Sequence, residues 1–311
     1  MNPPSLISLS SKSEPPSSID QALAWGTEQL RPTSATARLD AELLLAHVLG
    51  WSRARLLGES RTSLEESLQV EYRALIARRA ALEPVAYVTG RREFYGMEFL
   101  VDRHVLVPRP ETELLVELAI TFARTRNQES RTEVQAASRR FSVLGSRFLI
   151  ADIGTGSGAI AVAVAAHVPG ALVFATDVSP EALRVAQQNV ERHGLAEQVV
   201  LRQGDLLDAL PEPVDLLLSN PPYTILSQID ENVRRHEPHL ALDGGPDGLI
   251  FYRRLLAGAP AKLQPGGAIL LEIGATQAAA VVDLARAAFP NGQIAVHRDL
   301  AGLDRVVAIS D

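Results

Sequence analysis

The sequence contains no cysteine. That excludes disulfides, thiolate zinc sites and cysteine nucleophiles, and it fits a reducing, cytoplasmic setting. A basic excess is also missing: 30 lysines and arginines stand against 37 acids, for a net charge of −7. No overall field favours nucleic acid or an anionic membrane, so stable binding to either is not expected. Long apolar runs are absent too. The longest, Ala159 to Ala166, falls far short of the ~20 residues a spanning helix needs. The N-terminus has no cation before Lys12 and no apolar core segment, so it does not read as a secretory signal. What is present is ordinary for a globular protein, 46% hydrophobic and 22% charged over 311 residues, enough for two domains.

Residues 1–17 are rich in Ser and Pro, lack periodicity and read as a disordered tail. Residues 18–84 read as a helical domain of three amphipathic helices. Ser18 and Gln21 form a capping box for the first. The second spans Ala37 to Leu49, with Leu39, Leu43, Leu44 and Val48 at helical spacing and Gly50 as its stop. The third takes Ser63 and Glu66 as its capping box and carries Leu64, Leu68, Tyr72, Leu75 and Ile76 on one face. His47 has no identifiable partner and is assigned no role. From Val85 to Val107 the pattern alternates, broken by Gly90 and Gly96, which predicts a β-hairpin linker over residues 85–110. Pro108-Arg109-Pro110-Glu111-Thr112-Glu113 then forms a rigid turn feeding a helix that runs to Arg126. Arg109 and Glu111 are candidates to face a cleft. Residues 127–146 read as a polar insertion.

From Arg147 onward, strands alternate with helices. The candidate strands are Phe148–Ile153, Ala171–Asp177, Val199–Gln203, Val214–Ser219, Gly267–Ile273, Gln293–His297 and Arg305–Ile309. Such alternation predicts an α/β fold over residues 111–311, a mostly parallel seven-stranded sheet with helices on both faces. The last two strands are joined by too few residues for a crossover helix, so the final strand should run antiparallel.

Two turns carry chemistry. Asp152-Ile153-Gly154-Thr155-Gly156-Ser157-Gly158 lies where the first strand becomes its helix. Its glycines let the backbone approach a ligand, and the helix start offers unpaired N–H groups. Asp177, ending the next strand, can accept both protons of a ribose diol. Asp205 can accept from an adenine amino group while Leu206 packs on the ring. Gly154, Gly156 and Ala159 also satisfy the degenerate dinucleotide fingerprint, so these residues point to adenosine without choosing a cofactor. The second turn, Asn220-Pro221-Pro222-Tyr223, follows the fourth strand and should lie beside the first across the switch point. The Asn220 side-chain oxygen and the Pro221 carbonyl are acceptors that can hold the two N–H groups of a planar –NH2, with Tyr223 packed behind it. An amine grip beside adenosine suits group transfer to nitrogen, and S-adenosylmethionine fits both halves. No metal site is read from the sequence.

These residues resemble the release-factor glutamine N5-methyltransferases, the HemK or PrmC family. The resemblance runs from about Ile19 to Ile309. Gly154–Gly158 is shared with most class I methyltransferases, and Asn220–Tyr223 with adenine-N6 DNA methyltransferases and other amide or amine methylators. More particular to the family are Arg38–Leu44, the run from Gly90 through Phe94, Gly96 and Phe99 to Glu113, and Glu237-Pro238 with Ala241–Gly245 and Gly248-Leu249. The resemblance implies a class I methyltransferase, Rossmann-like fold that methylates the Gln of the Gly-Gly-Gln tip of class I peptide chain release factors, with the helical domain as docking surface. It implies cofactor contacts at Gly154–Gly158, Asp177, Leu206 and Asn220, and a substrate grip at Asn220–Tyr223. Some members carry an aromatic residue where Leu206 stands. A ribosomal-protein glutamine methyltransferase, a DNA adenine methyltransferase and a non-catalytic adenosine-binding module are the rival readings. Glu237, Asp243 and Glu272 are left without a role.

Overall fold

A computed structural model describes residues 18–137 and 147–310, so the reading of residues 1–17, and of the end of the 127–146 segment, lies outside the described residues. The chain divides into two units, one ending at Thr89 and one beginning at Gly90.

The first unit is helical. Helix α1 spans Ile19–Leu30, and its Ser18 cap accepts from the Gln21 N–H at 3.4 Å. Helix α2 spans Ala37–Leu49 and stops at Gly50, whose φ of +63° is left-handed backbone. Its inward face differs from the expectation. Ala37, Asp40, Ala41, Leu44 and Leu45 are buried, while Leu39 and Leu43 each stay 38% exposed. The two charged residues buried here are both paired, as burial requires. Asp40 accepts from Ser34, Thr36 and Arg79, and Glu42 sits between Arg38 and Arg53 at 2.6 Å each.

Helix α3, Arg53–Gly58, was not expected. Helix α4 spans Glu66–Ala80 and starts from Glu65 without a side-chain cap. The Ser63–Glu66 capping box is therefore corrected: Ser63 pairs its backbone with Ser18 instead. The strand reading of residues 85–89 is corrected as well. Val85–Thr89 forms helix α5, because the Pro84 carbonyl collects the N–H groups of Tyr87 and Val88 at 2.9 and 3.0 Å. A local turn that satisfies its own backbone outweighs side-chain alternation over so few residues.

The second unit opens with a hairpin of β1, Arg91–Phe94, and β2, Met97–Leu100, turning through Tyr95 and Gly96 at positive φ. Phe94 and Phe99 are buried and meet edge to face, 6.1 Å between ring centres. Helix α6 runs Glu113–Ala137, past the expected end at Arg126. The stretch 127–137 holds neither Gly nor Pro, so nothing in it breaks a helix.

Then come β3 (Leu149–Ile153), α7 (Ala159–His167), β4 (Leu172–Asp177), α8 (Pro180–Arg192), β5 (Val199–Gln203), β6 (Val214–Ser219), α9 (Glu231–His236), α10 (Ile250–Gly258), β7 (Leu263–Glu272), α11 (Ala278–Ala288), β8 (Gln293–Arg298) and β9 (Asp304–Ser310). The sheet order is β5-β4-β3-β6-β7-β9-β8. The first five strands are parallel, and β9 runs antiparallel to both neighbours. Each face has its own core. Leu216 and Leu218 pack on the side of α6 and α7, and Leu217 on the side of α10 and α11. Burial on both faces explains why β6 reads as a continuous apolar run. No helix among the described residues is long and apolar enough to cross a membrane.

Candidate active site

Strand order reverses between β3 and β6, and ligands in open α/β sheets bind beyond the strand ends at such a point. The Ser219 hydroxyl donates to the Ile153 carbonyl at 2.7 Å, fastening the two strand ends together. The two turns read from the sequence therefore stand side by side.

The glycine turn is held from beneath. Asp152 is wholly buried, and its Oδ2 accepts from the Thr155 hydroxyl at 2.6 Å and the Ala161 N–H at 3.2 Å. Burial pushes its carboxyl up to about 7, against those two bonds. Asp152 has no place on a cavity wall, which corrects its reading as a cofactor contact. Four backbone N–H groups of the turn are already paired within the protein. The amides of Gly154 and Thr155 both reach the Thr176 carbonyl, and that of Gly158 reaches Thr155. The Gly156 N–H goes to Asp177 Oδ2 at 2.9 Å.

The glycines divide by role. A β-carbon on Gly154 or Gly156 would meet no protein atom within 4 Å, so their bare backbone leaves open wall. One on Gly158 would come within 3.2 Å of Ala186, so that glycine serves the packing of α7 on α8 and does not line the cavity.

A cavity of about 260 Å³ runs along Gly154, Thr155, Gly156 and Ser157, past Asp177, Asp205 and Leu206, to Asn220, Pro221 and Pro222. The second oxygen of Asp177 accepts from the Ser179 N–H at 2.9 Å, and burial raises its pKa above the ordinary carboxylate value. Asp205 is exposed at the rim and pairs with Arg254 at 2.6 Å. Leu206 reaches the wall at a φ of +50°.

A second cavity, about 310 Å³, is lined by Arg109, Asn220, Pro221, Tyr223, Thr224 and Asp230 among others. Asn220 and Pro221 thus belong to both walls. The Asn220 Nδ2 donates to Thr112 Oγ1 at 3.1 Å, which leaves Oδ1 as the free acceptor. Tyr223 points its hydroxyl at Glu272 Oε1, 3.4 Å away. Burial and the Glu272 charge raise the pKa of that phenol, so it stays protonated.

Arg109 lines both cavities, but its guanidinium is held by buried Glu237 at 2.6 Å. Glu111 lies exposed on the turn and lines neither cavity, while its charge is felt by Tyr223 and Glu272. Its neighbour Thr112 makes the contact with Asn220. Sequence reasoning missed Thr112 and left Glu272 unassigned. A lone carboxylate closing the apolar run Ala268–Leu271 was the available signal.

Residues 21–90 match the model of the PrmC N-terminal domain, and residues 121–237 that of the methyltransferase small domain. A release factor glutamine methyltransferase of Moorella thermoacetica is 45% identical over 274 residues, covering 86% of this chain and 89% of its own. One of Cereibacter sphaeroides is 42% identical over 275 residues, covering 88% and 90%. Among solved structures, the hMettl16 catalytic domain matches at 16% identity and a TM-score of 0.52, over 76% of this chain and 81% of that one, a likeness of fold.

Proposed function

The chain belongs to the release factor glutamine methyltransferase family, and from that premise we propose that it methylates the side-chain amide nitrogen of the Gln in the Gly-Gly-Gln motif of class I peptide chain release factors, using S-adenosylmethionine. The observation that carries this reading is the shared wall: Asn220 and Pro221 border both cavities. Two ligands held on opposite sides of that wall meet at its acceptors.

The residues present fit the cofactor. Gly154 and Gly156 leave room along the wall, Asp177 offers two carboxylate oxygens for a ribose diol, and Leu206 gives adenine an apolar face. When bound, S-adenosylmethionine supplies an electrophilic methyl group on a sulfonium.

The chain's own work is positioning. An amide nitrogen is a poor nucleophile because its lone pair is delocalised into the carbonyl. Asn220 Oδ1 and the Pro221 carbonyl accept the two amide protons, fix the plane of the –NH2 and stabilise positive charge as it develops there. Tyr223, held through its hydroxyl by Glu272, closes the second cavity against that plane. A cysteine-free chain with no basic excess suits a cytoplasmic enzyme whose partner is a protein.

The test is transfer of label from S-adenosylmethionine to a purified class I release factor, beside its Gly-Gly-Ala variant. Label on the Gln form alone supports the proposal. Label on ribosomal proteins instead would replace the substrate and keep the chemistry.

A further inference from the structure

Two consecutive prolines leave the Asn220–Tyr223 turn without backbone donors at 221 and 222. The Pro221 carbonyl is needed for the substrate amide. The turn must therefore be fixed through the residues that follow, and its exit is gripped from two sides.

On one side lies the loop 242–248. The Thr224 N–H donates to the Leu242 carbonyl at 3.0 Å, and the Thr224 hydroxyl donates to the same oxygen. The Gly244 N–H returns to the Thr224 carbonyl at 2.8 Å. On the other side lies the end of β7, reached through Gln277, the residue before α11. Gln277 Nε2 donates to the Tyr223 carbonyl at 3.1 Å and to the Gly248 carbonyl at 3.2 Å. Its Oε1 accepts from the Gly274 N–H at 2.9 Å. Carbonyls only accept and a backbone N–H only donates, so these partners themselves fix which way the Gln277 amide points. One side chain thus fastens turn, loop and strand end together, across 54 residues to Tyr223 and 29 to Gly248.

Gly244 and Gly248 stand where this clasp leaves no room. A β-carbon on Gly244 would fall 2.8 Å from Tyr223 Cα. One on Gly248 would fall 2.5 Å from the Tyr223 carbonyl oxygen and 2.6 Å from Gln277 Nε2. The loop backbone lies directly against the turn, a close approach that glycine permits. Gln277 and Gly248 line neither cavity, whereas Tyr223 lines the second and not the first. Any effect of Gln277 on a substrate therefore passes through Tyr223.

We propose that Gln277 is a positioning residue for methyl transfer: by donating to the Tyr223 and Gly248 carbonyls it locks the exit of the turn against the loop and sets the Tyr223 ring behind the substrate amide. This rests on the reading of Asn220–Tyr223 as an amide grip.

Steady-state methylation of the protein substrate that the unmodified enzyme labels tests it. Gln277→Met keeps the side-chain length and removes both donors and the acceptor. It should lower kcat by roughly tenfold to a hundredfold, as small displacements of positioning groups do. Its affinity for S-adenosylmethionine, measured by calorimetry, should not change, because the first cavity holds none of Tyr223, Gly248 and Gln277. Gly248→Ala pushes on the same bonds from the loop side and should show the same pattern. In a Tyr223→Ala background, Gln277→Met should add little further loss, since the group it positions is gone.

Parental kcat in Gln277→Met, a cofactor affinity that falls together with kcat, or fully additive losses in the double variant would each overturn the proposal. Asn220→Ala, run alongside, separates the two layers. Full turnover there overturns the amide-grip reading and this inference with it. An inactive Asn220→Ala beside a fully active Gln277→Met overturns this inference alone.

Discussion

Ser219 donates its hydroxyl proton to the Ile153 carbonyl at 2.7 Å, across the parallel pair β3 and β6. Both residues are buried, and each is the last of its strand. The next residue on one side is Gly154, and on the other Asn220. The bond therefore sets the spacing between a turn that suits adenosine and a turn that suits an amide.

Asn220→Ala removes the one side-chain acceptor that, among the described residues, borders both cavities. Losing a preorganised polar group of this kind costs roughly 2.7–4 kcal/mol of barrier. The expected result is a kcat lower by two to three orders of magnitude, about that same loss, with a melting temperature close to the parent's. Turnover assays with a thermal melt check both, and near-normal kcat would remove Asn220 from the mechanism.

Asp152 gives an unusual pH dependence of stability. Its carboxyl sits at about 7 in the folded protein against 3.8 when free, so between those values the folded state holds a proton that the unfolded state has lost. This contribution is fully present below pH 3.8 and is lost as pH rises through about 7. Asp152→Asn keeps an acceptor for Thr155 and Ala161 and removes the ionisation. Its melting temperature should decline less over that range than the parent's. Parallel curves from calorimetry at stepped pH would contradict the assignment.

Gly26 lies inside α1, where glycine is ordinarily a poor choice. A β-carbon there would fall 2.1 Å from the Tyr72 hydroxyl oxygen and 2.9 Å from Cζ. Tyr72 is fully buried and donates to the Ala41 carbonyl at 3.2 Å, so it has little freedom to move. Overpacking costs about 1–3 kcal/mol, which offsets the gain of roughly 1 kcal/mol in helix propensity. Gly26→Ala should therefore lower stability in urea titrations, and adding Tyr72→Phe should recover part of the loss. A stabilised Gly26→Ala would show that this contact is soft.

Arg109→Ala separates a structural role from a substrate contact. It would strand the Glu237 carboxylate, whose side chain is only 2% exposed. Breaking a buried pair costs about 3–5 kcal/mol, and a guanidinium that is itself 37% exposed puts this one nearer the lower end. The double variant Arg109→Ala with Glu237→Gln should regain most of the stability. If the single variant melted normally and raised only the KM for release factor, Arg109 would belong to the substrate surface instead.

Much of the second unit is legible in the sequence because its signals are local. Each expected strand appears within a few residues of its reading, since buried strands of a parallel sheet are apolar on both faces. The antiparallel end followed from the short connection between β8 and β9. Local reading failed where partners compete. Leu39 and Leu43 have the spacing of an inward stripe, yet the neighbouring helices bury Ala37, Ala41 and Leu45 instead. Ser63 has the spacing of a cap, yet its backbone pairs with Ser18. Residues 85–89 alternate like a strand, yet Pro84 turns them into a helix.

The sequence by itself determined the glycine turn, the Asn-Pro-Pro-Tyr turn and the strands that carry them, because backbone conformation and apolar period are written over a few consecutive residues. Tertiary structure alone decided that Asp152 lies under the turn, that Thr112 is the residue that contacts Asn220, and that Glu272 stands behind Tyr223. The bond between Asn220 and Thr112 spans 108 residues and that between Tyr223 and Glu272 spans 49. A hydroxyl or a carboxylate takes its meaning from what lies within about 3 Å of it, and in this chain those neighbours come from distant elements that only folding brings together.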